Sequence, residues 1–172
     1  MNVLVVDGYN IIGAWEELNY LKRKDISLAR DRLLEILIEY KAYSGERVII
    51  VFDALYVEGM ESKQSVNDVE VIYTKEDETA DECIERLVQS LKNVKNQVYV
   101  ATSDYLEQRT IFSRGALRKS ARELLIEINE MNTNIKGQME QQSKANPKIT
   151  VFSETDEKVL QQLEKWRRRK LK

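Results

Sequence analysis

Short, unbroken apolar runs alternate along this chain with longer stretches in which apolar residues return every third or fourth position. Four runs, at 3–6, 48–52, 69–73 and 98–101, read as strands buried on both faces. A fifth, weaker run at 149–152 follows Pro147, the only proline. Between the runs lie helical patterns. Ser27 is placed to cap a helix whose Leu28, Leu33, Leu34, Leu37 and Ile38 fall on one side. Thr79-Ala80-Asp81-Glu82 has the form of a capping box, and Ile84, Leu87, Val88 and Leu91 follow at helical spacing. A third helix is predicted over 114–131, with Leu117, Ala121, Leu124, Leu125 and Ile128 inward, and a last one over 154–172. Residues 133–148, rich in Asn, Gln, Lys and Ser, show no clear period and predict a mobile loop.

Strands alternating with helices of this length imply right-handed crossovers. The expected fold is α/β, a three-layer sandwich with a mainly parallel central sheet. At 172 residues it fits a single domain spanning 1–172.

The strand ends share a feature. The first run stops at Asp7-Gly8, the second at Asp53, and the fourth leads through Thr102-Ser103 to Asp104. An Asp-Gly pair between apolar runs is also a hairpin signal, but the residues that follow, Tyr9 to Trp15, do not alternate. Parallel strands deliver their C-terminal ends to one edge, where open α/β sheets bind ligands. Asp81, in the first turn of the helix after the third strand, approaches the same edge. Each acid has a local explanation as well: Asp81 suits a helix dipole, Asp104 a cap, Asp53 a turn. Four on one rim repel one another unless a cation neutralises them.

Composition narrows the chemistry. The chain has no histidine and one cysteine, Cys83, which removes Ser-His and Cys-His nucleophiles, the usual zinc sites and any disulfide framework. Oxygen donors alone select Mg²⁺ or Mn²⁺. A Walker-type phosphate loop fails because Ala14 stands where lysine is required after Gly8 and Gly13, and G-x-G-x-x-G is absent, so no nucleotide cofactor is expected. A phosphate-accepting receiver is weakened by the single aspartate after the first strand and by Ser153-Glu154 after the last. No run is long enough to span a membrane, and the apolar start lacks the features of a signal peptide, so a cytoplasmic protein is expected. The net charge of −2 divides unevenly: residues 156–172 hold seven bases and three acids, a +4 tail on a −6 remainder.

Taken together, Asp7-Gly8-Tyr9-Asn10, Val51-Phe52-Asp53, Thr79-Ala80-Asp81 and Thr102-Ser103-Asp104 resemble the NYN domain, a branch of the PIN-like nucleases. "ETADECIERLV" and "FSRGALRKSARELL" make the chain similar to its YacP-like subgroup over nearly its whole length. The resemblance implies a PIN-like fold and metal-dependent endoribonuclease activity, with mRNA met at the ribosome as substrate and a monomer expected. By motif it assigns Asp7, Asp81 and Asp104 to a Mg²⁺ or Mn²⁺ ion, Asp53 to its vicinity, and Asn10 to orienting ligands or substrate. An adaptor that keeps the fold and binds RNA or ribosome without cleaving is the alternative.

RNA must reach a negative rim, which calls for cations beside it. Arg114, Arg118 and Arg122 form an i, i+4, i+8 stripe if the third helix starts where predicted, and Arg30, Lys22 and Lys24 extend the track. A solvated basic face explains the stripe equally well. Tyr9 and Tyr105 are candidates for base stacking, with packing as the competing role. The "KWRRRKLK" tail reads as an RNA contact, or as a helix end packed through Trp166. Thr79 and Ser103 are candidates to align the carboxylates.

Overall fold

The first apolar run becomes the middle of the sheet. In the computed structural model, residues 1–53, 62–75, 77–93, 95–104 and 115–145 are described. In chain order the elements are β1 (Asn2–Asp7), α1 (Gly8–Ala14), α2 (Glu16–Lys24), α3 (Ile26–Ser44), β2 (Arg47–Phe52), β3 (Ser62–Val66), β4 (Val69–Tyr73), α4 (Ala80–Leu91), β5 (Gln97–Ala101), β6 (Leu117–Lys119) and α5 (Ala121–Ala145). The strands form one sheet in the order β3-β4-β2-β1-β5-β6. All neighbours run parallel except β3, which pairs antiparallel with β4.

Both faces of the sheet are covered, as unbroken apolar strands require. Val3, Val5, Ile49, Val51, Val98 and Val100 share a cluster with Cys83, Ile84 and Val88 of α4. By strand alternation Leu4, Val6, Ile50 and Phe52 face the other way and are also buried, and α1 and α3 lie against β2. The start of α5 is bonded to that helical layer. The Trp15 indole N–H donates to the Ala121 carbonyl at 2.8 Å, and the Tyr40 hydroxyl donates to Glu127 at 2.9 Å. Glu127 also accepts from Lys119 at 2.7 Å. This is the expected α/β three-layer architecture with a mainly parallel central sheet. Two compact units are distinguished, Met1–Met131 and Asn132–Lys172. Of the second, the described part is the continuation of α5 to Ala145.

Several elements differ from expectation, each for a local reason. The predicted 114–131 helix begins only at Ala121. Gly115 takes φ +82°, 117–119 pair with β5, and Ser120 and Glu123 exchange capping hydrogen bonds at 3.1 and 2.6 Å. That reciprocal pair is the true helix start. Leu117 is therefore on an edge strand and 39% exposed, not inward. The same helix runs on to Ala145, so most of the expected 133–148 loop is helical. Asp25, not Ser27, caps α3: its carboxylate accepts from the Ser27 N–H at 2.8 Å and hydroxyl at 2.6 Å. The buried face of α3 is Ala29, Leu33, Ile36, Leu37 and Tyr40, leaving Leu28 exposed. β3 was not expected, because Ser62–Val66 is largely polar; Asn67 and Asp68, both at positive φ, make the turn that folds it onto β4. The 149–152 strand, the 154–172 helix, Tyr105, Arg114 and Trp166 lie outside the described residues.

Candidate active site

Sheet topology decides where a ligand can sit. From β1 the chain proceeds to β2 on one side; β5, on the other side of β1, proceeds to β6. The crevice between the C-terminal ends of β1 and β5 is thus the switch point of the sheet, where open α/β folds bind ligands. Asp7 closes β1 and Asp104 follows β5, so the two acids stand on its two sides. Asp53 directly follows β2, the other neighbour of β1.

Asp7 is only 6% exposed although it ends a strand. It doubles as the N-cap of α1, its carboxylate accepting from the Asn10 N–H at 3.3 Å. That cap is why the strand passes into a helix without a hairpin. Gly8 is required there: a Cβ on it would stand 2.3 Å from Cε1 of Phe52. The Asn10 side chain then reaches across the crevice. Its amide oxygen accepts from both the Ser103 N–H and the Ser103 hydroxyl, each at 2.6 Å. With the oxygen so engaged, the NH₂ is the donor end of the Asn10 amide. The buried Thr102 hydroxyl accepts from the Asp104 N–H at 3.1 Å, which shapes the turn that presents Asp104.

Asp81 comes from the opposite helical layer, as the second residue of α4. The expected capping box is present: Thr79 Oγ1 accepts from the Glu82 N–H at 3.2 Å, and Glu82 accepts from the Thr79 N–H at 3.0 Å. Thr79 therefore acts through the helix start it sets, which aims Asp81. Burial holds the Asp81 carboxyl above its ordinary range, and the negative fields of Asp104, Glu85, Asp53 and Glu82 add to the effect. Asp53, Asp81 and Asp104 thus share one electrostatic neighbourhood. Glu85 belongs to it too and was not anticipated, although it lies one helical turn beyond Asp81.

Such repulsion among oxygen donors is relieved by a hard cation. Among the described residues, however, no group of three acids or cysteines is gathered closely enough to hold an ion unaided. Magnesium is the hard ion that binds through only one or two carboxylates while keeping several waters.

The expected arginine stripe does not exist as a single helical face. Arg118 is on β6, Arg122 in the first turn of α5, and both are exposed. Arg30 is placed otherwise. From α3 it reaches the aromatic residues at the same sheet edge, donating to the Tyr9 hydroxyl at 3.4 Å and standing 6.0 Å over the Tyr73 ring. Lys22 and Lys24 are exposed at the end of α2, Lys24 lying 4.5 Å over Tyr20. From sequence, Phe52 and Thr102 enter only as members of strand-end motifs and Tyr73 only as the end of a buried run, because apolar or hydroxyl residues at strand ends look like core.

Comparison with known proteins bears on the family and the fold. The family model of the YacP-like NYN domain matches residues 4–168. The chain is 51% identical over 170 residues to the uncharacterized protein YacP of Bacillus subtilis (strain 168), covering 98% of each. It is similar to the crystal structure of Rae1 (YacP) from Bacillus subtilis, with 50% identity and a TM-score of 0.75 over 98% of this chain and 95% of that one. A mutant form of the same protein gives 49% identity and a TM-score of 0.75, covering 84% and 85%.

Proposed function

The chain belongs to the YacP-like NYN domain family, and on that premise we propose that it is a Mg²⁺- or Mn²⁺-dependent endoribonuclease that hydrolyses phosphodiester bonds of mRNA in association with the ribosome, in the cytoplasm. Membership suggests a nuclease-like function directed at RNA. The observation that carries the reading is Asp81, held above its ordinary pKa range by burial and by Asp104 and Asp53 beside the switch-point crevice. Among the described residues no helix is long and apolar enough to cross a membrane.

In this reading Asp7, Asp81 and Asp104 are the residues that would hold the ion, with Asp53 and Glu85 adding negative field at Asp81. A hard divalent ion held there would lower the pKa of a bound water and offset charge on a phosphoryl oxygen. No histidine is needed. Asn10 keeps the loop after β5 in place through Ser103 and turns its NH₂ towards substrate. Arg30 offers a phosphate contact that positions RNA without reading its sequence. Arg118, Arg122 and Arg114 are further candidates for that role.

That no three-carboxylate group is gathered among the described residues favours a second reading, an adaptor that binds RNA or ribosome without cleaving. Incubating end-labelled unstructured RNA with Mn²⁺ or Mg²⁺ separates the two. Cleavage should vanish with EDTA, with Asp7→Asn and with Asp81→Asn. Cleavage that persists in EDTA ends the metal-dependent proposal. RNA that stays intact both free and on translating ribosomes, despite being bound, establishes the adaptor.

A further inference from the structure

Beside the acidic rim stands an aromatic file that packing of the sheet alone does not require. Tyr9 follows Asp7 by two residues, Phe52 precedes Asp53, and Tyr73 ends β4 in register with Phe52. The Tyr9 and Phe52 rings are 5.0 Å apart and tilted; Phe52 and Tyr73 are 5.5 Å apart and nearly coplanar in orientation, at 24°. Phe52 is buried, whereas Tyr9, Tyr73 and Arg30 are partly exposed. Two strand spacings of about 4.8 Å separate β4 from β1, so Tyr73 lies about 10 Å along the edge from Asp7.

The position of Arg30 is the informative detail. Its guanidinium carbon is 6.0 Å from the Tyr73 centroid. That is at the outer limit of a cation–π contact and well beyond stacking distance. A flat group inserted between ring and guanidinium needs about 7–8 Å, two contacts of 3.5–4.0 Å. The gap is 1 to 2 Å short of that. Arg30 is steadied there by a long hydrogen bond to the Tyr9 hydroxyl, 3.4 Å, which costs little to stretch. Arginine planes and aromatic rings, tyrosine among them, are surfaces on which proteins stack unpaired RNA bases.

We infer that the Tyr73 ring and the Arg30 guanidinium form a slot for one unpaired base of single-stranded RNA, backed by Phe52 and set a nucleotide or two from the carboxylate rim. This rests on the nuclease reading for its purpose, because the slot holds the strand beside Asp7 and Asp53. Its test does not need cleavage. Stacking of this kind tolerates any base, so the slot positions the strand without selecting sequence.

The experiment uses the full chain in EDTA. Anisotropy of a labelled eight-nucleotide oligouridine is compared with that of the same ribose-phosphate chain lacking all bases. The protein should prefer the oligouridine by roughly five- to hundredfold. Tyr73→Leu, which keeps bulk without a π face, and Arg30→Lys, which keeps charge without a plane, should each bring the preference towards one. Either variant suffices if circular dichroism shows that the other fails to fold. A preference unchanged in the folded variants, or none in the wild type, overturns the slot. Uniform weakening of both ligands by Arg30→Lys overturns it too, leaving Arg30 a plain phosphate contact. Cleavage by the wild type in Mn²⁺, measured separately, reports on the nuclease reading whichever way the slot is decided.

Discussion

An alanine at position 8 should destabilise the protein even though glycine is the poorer helix former. In an open helix the change gains up to about 1 kcal/mol. Here the new Cβ would stand 2.3 Å from Cε1 and 2.5 Å from Cδ1 of Phe52, where real Cβ contacts essentially never fall below 3.0 Å. The ring must withdraw by at least 0.7 Å to reach that limit. It cannot do so freely, since Phe52 is 2% exposed and flanked by Tyr9 and Tyr73. Overpacking of a closed site costs about 1–3 kcal/mol. The middle of that range less the full helical gain leaves a net loss of about 1 kcal/mol, a fall in Tm of roughly 2–4 °C for a chain of this size. Thermal and urea unfolding of Gly8→Ala, Phe52→Leu and the double variant measure it. The double variant should be less damaged than the sum of the single ones by about 1 kcal/mol or more, because a shorter side chain vacates the space. Gly137→Ala is the control: its Cβ meets nothing within 4 Å, so it should gain stability. If Gly8→Ala is as stable as the wild type, or if the double variant is simply additive, the contact does not constrain the chain as described.

Two further outcomes follow from the charges. Asp81→Asn should unfold at a higher temperature than the wild type in EDTA at neutral pH, since it removes a carboxylate that burial, Asp104, Glu85 and Asp53 all disfavour; a lower Tm would show that the carboxylate is satisfied. Glu70 tests the opposite sign. It accepts from Arg47 at 2.6 Å and pairs with Lys63 at 2.6 Å, and these contacts hold its carboxyl below the ordinary 4.5. Its contribution, of about 1 kcal/mol, is therefore present above pH 4.5 and lost as pH falls through the lower folded-state value. Glu70→Gln should be the weaker protein at pH 7, with a deficit that shrinks as pH falls below 4.5, measured by urea midpoints; a deficit that does not shrink would assign the loss to packing.

The parts legible in the sequence were those coded by near neighbours. The capping box at Thr79 and Glu82 closes within four residues, so the residue pattern and the hydrogen bonds say the same thing. The same device at Ser120 and Glu123 was overlooked because Leu117, Ala121 and Leu124 share a helical spacing that runs through it. Gly115 and the pairing of Leu117–Lys119 with β5 outweighed that spacing. With the strand went the arginine stripe. β3 escaped notice because an edge strand needs little apolar character; its hold on β4 comes from the turn at Asn67 and Asp68 and from Lys63 on Glu70.

By itself the sequence determined the four buried strands, the helix between 79 and 91, the absence of histidine chemistry and the arrival of aspartates at strand ends. These follow from local periodicity, capping chemistry and composition. Only the tertiary structure decided that β5 lies beside β1, which places Ser103 within reach of Asn10 and sets Asp104 across a crevice from Asp7. It alone brought Tyr9, Phe52 and Tyr73 into one file and Arg30 to them. The physical reason is that strand order and long-range contact carry no local signature: they result from the crossover connections and from burial of both sheet faces at once.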